Sequence, residues 1–91
     1  MENIISDFLK DAENRRLFEQ ERVVLDVTEM ICKIMAKRAM TKEALALHLG
    51  TSKSEITRML NGDRNLTFKK VSDILHYLDC ELVVSFKEQY R

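Results

Sequence analysis

Lys53, Ser54, Thr57 and Arg58 fall at i, i+1, i+4 and i+5 of one short stretch, interleaved with Ile56, Met59 and Leu60. At 3.6 residues per turn this spacing puts the four polar residues on one side of a helix and the three apolar ones on the other. The polar set is rich in donors. Arg and Lys can bond O6 and N7 of a guanine together, and Ser or Thr hydroxyls reach several base edges. Polar residues coat the outside of most helices, so this chemistry depends on the scaffold that presents it.

Charge distribution supports that chemistry. The 91 residues carry 15 Lys/Arg and 15 Asp/Glu, a net charge of zero. Residues 1–32 hold four Lys/Arg against eight Asp/Glu, whereas residues 33–70 hold nine against three. Residues 71–91 are again acidic, with two against four. A neutral chain with a basic middle can attract phosphate on one face.

The elements around the polar set read as helices. There is no proline, and Gly50 and Gly62 each end a periodic segment, as glycine does in the left-handed position after a helix. Ile4, Ile5, Phe8 and Leu9 predict a short amphipathic helix over 3–10, with Asp11 as a cap for the next. A long helix is expected from Ala12 to about Ala39. Leu17, Val24 and Ile31 form its apolar stripe with Val27 and Ile34, and Phe18, Val23, Leu25, Met30 and Met35 widen it. Core packing explains so wide a stripe. Thr41 caps a helix over 42–49, and Ser52 opens the next, with Glu55 expected to reach back to the Ser52 amide in a capping box. Thr67 caps a fourth helix over about 68–79, with Phe68, Val71, Ile74, Leu75 and Leu78 apolar. From Glu81 to Lys87 the pattern changes to period two, which predicts a strand.

The two short helices meet across Gly50-Thr51-Ser52. Ala46 is small enough for a close crossing, Gly50 tolerates the turn, and Ile56 and Met59 pin the second helix. That combination describes a helix-turn-helix. The segment from Met40-Thr41-Lys42-Glu43-Ala44-Leu45-Ala46 through Gly50 and Ser52 to Asn61-Gly62 resembles the phage-repressor/Cro type, the XRE family. The resemblance covers about residues 22–80. It departs at Lys42, where the family has Gln, and at Leu66-Thr67, where a Pro is common.

The resemblance implies a recognition helix that enters the major groove of double-stranded DNA by its N-terminal end. Lys53, Ser54 and Arg58 match base-facing positions, and Thr57 lies on the same side. Lys42, Asn61 and Arg64 match backbone-touching positions, and Ser52 is expected to join them on phosphate. The long N-terminal helix and the terminal strand also look like HigA-type antitoxins, which implies an alternative: a protein that neutralises a RelE-like toxin by direct binding and represses its own operon.

Other classes find less support. His48, His76, Cys32 and Cys80 do not make the two close ligand pairs of a structural zinc site, so no metal and no cofactor are expected. There is no phosphate loop or nucleophile motif, so no enzyme is expected. The cysteines are expected to be reduced, with Cys32 packed as a small hydrophobe. No apolar run could span a membrane, and the start does not resemble a secretory leader, which predicts a cytoplasmic protein.

The expected architecture is mainly α. It is one DNA-binding domain over 1–91: a helical extension over 1–21, a repressor-like helical bundle over 22–80 containing the helix-turn-helix, and one C-terminal β-strand with its tail over 81–91. Leu82, Val83, Val84 and Phe86 are the expected dimerisation residues. An unpaired strand leaves a bare edge, and a second copy about a two-fold axis would cover it. The resulting homodimer would suit a palindromic operator.

Overall fold

The computed structural model describes residues 4–62 and 66–89. It contains four helices among those residues: α1 (Ile4–Lys37), α2 (Lys42–Leu49), α3 (Lys53–Leu60) and α4 (Phe68–Tyr77). The last three, with the C-terminal part of α1, enclose one core. Ile31 and Met35 of α1 meet Leu45 and Ala46 of α2, Ile56 and Met59 of α3, and Ile74 and Leu78 from the end of α4. α3 packs on both α1 and α2, and α4 packs on α2.

Local chemistry sets the helix boundaries. Thr41, Ser52 and Thr67 sit in extended backbone and accept hydrogen bonds from Ala44, Glu55 and Lys70 N–H through their hydroxyl oxygens, at 3.0, 3.1 and 3.1 Å. Each satisfies an amide that the helix leaves open. Past the C-terminal end of each helix the chain turns through one left-handed residue: Ala39, Gly50, Gly62 and Asp79. After α1, α2 and α4 the next amide then bonds back into the helix: Met40 to Met35 O at 2.9 Å, Thr51 to Ala46 O at 2.9 Å, and Cys80 to Leu75 O at 2.8 Å. This closure satisfies carbonyls that would otherwise be bare.

The N-terminal segment corrects two expectations. The helices expected over 3–10 and from Ala12 are one helix of 34 residues, and Asp11 lies inside it rather than capping it. The chain there has no glycine or proline to break it. Ion pairs at i+3 and i+4 brace it: Arg16 Nε donates to Glu13 at 2.9 Å, and Arg22 lies 2.9 Å from Glu19 and 2.8 Å from Asp26. The second correction concerns burial. Leu17, Phe18, Val23 and Leu25 are 43 %, 68 %, 49 % and 55 % exposed, so the wide stripe is not core along its N-terminal half. Cys32 is exposed too.

The helix is about 51 Å long at 1.5 Å per residue, and its first twenty or so residues overhang the globule. The molecule measures 58 × 28 × 20 Å, with a radius of gyration of 17.4 Å. A compact chain of this length would have a radius near 12 Å.

At the C-terminus the expected strand is not formed. Residues 81–89 are neither helix, turn nor strand. A strand needs a hydrogen-bonded neighbour, and the described residues of this chain provide no second strand. Leu82 is half-buried, whereas Val83, Val84 and Phe86 are exposed. Of the apolar residues of α4, Phe68 is exposed at its start.

Candidate nucleic-acid interface

Gly50 determines how α2 meets α3. Its φ of 67° and ψ of 35° are left-handed, a conformation that costs an L-residue about 1–2 kcal/mol and glycine little. The turn then needs only Thr51 before Ser52 caps α3. Ala46, 4 % exposed, packs beneath the crossing, and Ile56 and Met59 hold the inner side of α3 at 0 % and 2 %.

The opposite side of α3 carries the polar set. Lys53, Ser54 and Arg58 are exposed, and Thr57 is half-buried at the flank. Lys42 is half-buried in the first turn of α2, and Asn61, exposed, follows α3. The Asn61 backbone N–H donates to the Thr57 and Arg58 carbonyls at 3.1 and 3.2 Å. The Ser52 oxygen accepts from the Glu55 amide, which leaves its O–H able to donate outward. Arg64 lies outside the described residues.

Two cations of this set are held by carboxylates of the protein itself. Lys53 Nζ lies 2.8 Å from Glu43 Oε1, tying the N-terminus of α3 to α2. The hydrogen bond and charge attraction between them hold the Glu43 carboxyl below its ordinary range and push the Lys53 ammonium up. Arg58 pairs with Glu55 one turn back along α3. This replaces the second half of the expected capping box: among the described hydrogen bonds, Glu55 serves Arg58 rather than the Ser52 amide. Both pairs are at the surface, so water and salt screen them.

Two residues of this region were not singled out from the sequence. Glu43 holds Lys53, a pairing between helices that linear spacing does not reveal. Lys70, near the start of α4, lines a cleft with Thr51, Glu55 and Asp73 beside the turn. Its presence in the basic middle of the chain was the available signal.

The histidines and Cys80 have partners of another kind. His48 stacks on Tyr77 with ring centroids 4.9 Å apart, and His76 meets the same ring edge-on at 5.2 Å. Cys80 Sγ accepts from Arg38 Nη2 at 3.9 Å. Among the described residues no helix is long and apolar enough to cross a membrane.

A family model described as helix-turn-helix matches residues 33–84. No curated protein and no solved structure matches the chain.

Proposed function

The chain belongs to the helix-turn-helix family of the Cro/XRE type, DNA-binding transcription regulators, and on that premise we propose that it is a sequence-specific repressor acting as a homodimer on a palindromic operator. The observation that carries this reading is the two-sided character of α3. Its inner side is sealed by Ile56 and Met59, while Lys53 and Ser54 in its first turn and Arg58 in its last stand exposed on the other side. A helix fixed in this way can hold donors against base edges without ordering them afresh at each encounter.

The roles divide by chemistry. Arg58 and Lys53 read guanine edges, and Ser54 and Thr57 complete the base contacts. Lys42, Ser52, Asn61 and Arg64 take phosphate, which sets register without specifying sequence. Before either cation reaches a base it must leave Glu55 or Glu43. Leu82, Val83, Val84 and Phe86 join two copies when residues 81–87 pair as strands across a two-fold axis, which supplies the neighbour that a single chain lacks.

A second reading keeps DNA binding and adds a toxin protein as partner, with the chain as its antitoxin. It draws on the acidic residues 1–32 and the exposed apolar side chains of α1.

Selection of an operator from random duplexes, followed by titration of variants, tests the leading reading. Arg58→Ala and Lys53→Ala should each lose about 1–3 kcal/mol of discrimination at one base pair. Lys42→Ala should weaken all DNA alike and reduce the salt slope by about one. Failure to select any sequence, or unchanged specificity in both α3 variants, would remove α3 as the reading element.

A further inference from the structure

The overhang of α1 carries a pattern that the DNA-binding reading does not use. Ile4, Phe8, Asp11, Arg15, Phe18, Arg22 and Leu25 follow one another at alternating spacings of four and three. That is the spacing of a coiled-coil seam, with four of its seven positions apolar and three charged. At about 100° per residue, the seam lies about 120° or more around α1 from the side that carries Ile31 and Met35 into the core. Exposure agrees: Ile4, Phe8, Phe18 and Leu25 are 82 %, 64 %, 68 % and 55 % exposed. In proteins most helical stability comes from packing of an amphipathic face rather than from helix propensity. The seam therefore needs an occupant, and the globule, lying on another side of α1, does not block one.

The charges within the seam identify the occupant. In a parallel pair of copies Asp11 would face Asp11, Arg15 would face Arg15, and Arg22 would face Arg22. Three layers of like charge would be buried together, each unfavourable. In an antiparallel pair, layers form between residues whose numbers have a constant sum. The register that places Phe8 opposite Leu25 then places Arg15 opposite Phe18 and Arg22 opposite Asp11. The layers from residue 8 to residue 25 become favourable together: apolar on apolar, guanidinium on an aromatic face, and cation on carboxylate, while Ile4 falls opposite Glu29 at each end of the pair. Arg22 already bridges Glu19 and Asp26 on its own helix, so Asp11 of the second copy would extend an existing network.

We propose that α1 is a self-association interface: two copies of this chain pair antiparallel through Phe8, Phe18 and Leu25, with Asp11 and Arg22 fixing orientation and register. The two-fold axis crosses α1 between Arg16 and Leu17. The globules lie at opposite ends of the paired helices, with their residues 31 about 44 Å apart along the seam. This interface is independent of residues 81–87 and of the DNA-binding reading.

Two measurements on the full chain test it. In sedimentation equilibrium the protein should be a dimer or a larger even assembly. Phe8→Glu with Leu25→Glu should raise the dissociation constant of the α1 contact by about 100-fold or more, because each buried layer would then hold unpaired carboxylates. Both positions are exposed in the single chain, so at dilutions where both proteins are monomeric the variant should match the parent in helix content and melting temperature.

The second measurement reads register. With Cys32 and Cys80 changed to Ser, a Phe8→Cys chain mixed with a Leu25→Cys chain should cross-link between unlike chains under mild oxidation, and neither chain should cross-link alone. A chain that sediments as a monomer overturns the proposal. So does an assembly that survives the double Glu variant but is lost on truncation after Asp79, which assigns association to the tail. Cross-linking of Phe8→Cys chains to each other would overturn the antiparallel register.

Discussion

The two ends of α1 make an instructive pair. Both are rich in large apolar side chains, and both belong to one unbroken helix. Toward the C-terminal end Ile31 and Met35 are sealed at 0 % and 6 % exposure, whereas toward the N-terminal end Phe8 and Phe18 stay 64 % and 68 % exposed. The difference lies in what stands beside them. α2, α3 and the end of α4 close over Ile31, and Gly62 brings the turn after α3 up to Val24, where an added Cβ would lie 3.6 Å from Val24 Cγ1. N-terminal to that turn the described chain offers no second layer. Hydrophobic pattern alone therefore states a demand for burial without stating who meets it.

Truncation separates the two ends most sharply. Ile31→Ala should cost about 2–5 kcal/mol, because a fully enclosed side chain leaves a cavity behind. Phe18→Ala should stay within about 0.5 kcal/mol in the dilute monomer, as exposed substitutions do. Chemical denaturation of both variants at low concentration is the measurement, and equal losses would erase the distinction. At high concentration the Phe18 variant should lose more if self-association protects the overhang.

The sealed end depends on its turns, so the next effect is smaller. Gly50→Val should cost about 1–2 kcal/mol from left-handed strain. An added Cβ there would meet nothing within 4 Å, so clash adds nothing. Normal stability would mean that the turn has another route.

The reverse substitution should help. Ala39, at φ 55°, occupies the equivalent position after α1. Ala39→Gly should gain about 0.5–1 kcal/mol after the extra chain entropy of glycine is subtracted. A loss would show that the Ala39 methyl is worth more than its strain.

The smallest effect concerns the surface. Because the Glu43 carboxyl is held low, its contribution is present above the ordinary carboxylate range and fades as pH falls through its lowered value. The Lys53 ammonium is raised, so its contribution is complete below the ordinary lysine range and fades as pH rises through the raised value. In Lys53→Ala the Glu43 carboxyl should titrate at higher pH by nuclear magnetic resonance, with no resolvable change in melting temperature. An unmoved Glu43 titration would dissolve the pair.

Much of this was legible in the sequence because it is local. Thr41, Ser52 and Thr67 announce helix starts, Gly50 announces a turn, and the inward residues of α2 and α3 follow from helical period. What escaped depends on neighbours. Asp11 looks like a cap until the surrounding good helix formers and the Glu13–Arg16 pair carry the helix through it. Glu55 can serve either Ser52 or Arg58, and spacing does not choose between them. Residues 81–87 have the period of a strand, but pairing belongs to two segments and the described chain contains one. The assignments of Lys53, Ser54, Thr57 and Arg58 to bases rest on resemblance and exposure, which say where they stand and not what they touch.

The closures after α1, α2 and α4 also bear on time. Each reverses the chain within a few residues, so α2 and α3 pack on each other directly and α1 and α4 reach the next helix but one. Closing such short spans costs little entropy, and helical chains with mostly local contacts reach the native state in microseconds to milliseconds. With no proline in the sequence, there is no slow isomer to wait for. The globule can thus be complete well before two chains at ordinary concentration have met, and a copy arrives at its first encounter already folded at one end and still bare along the other.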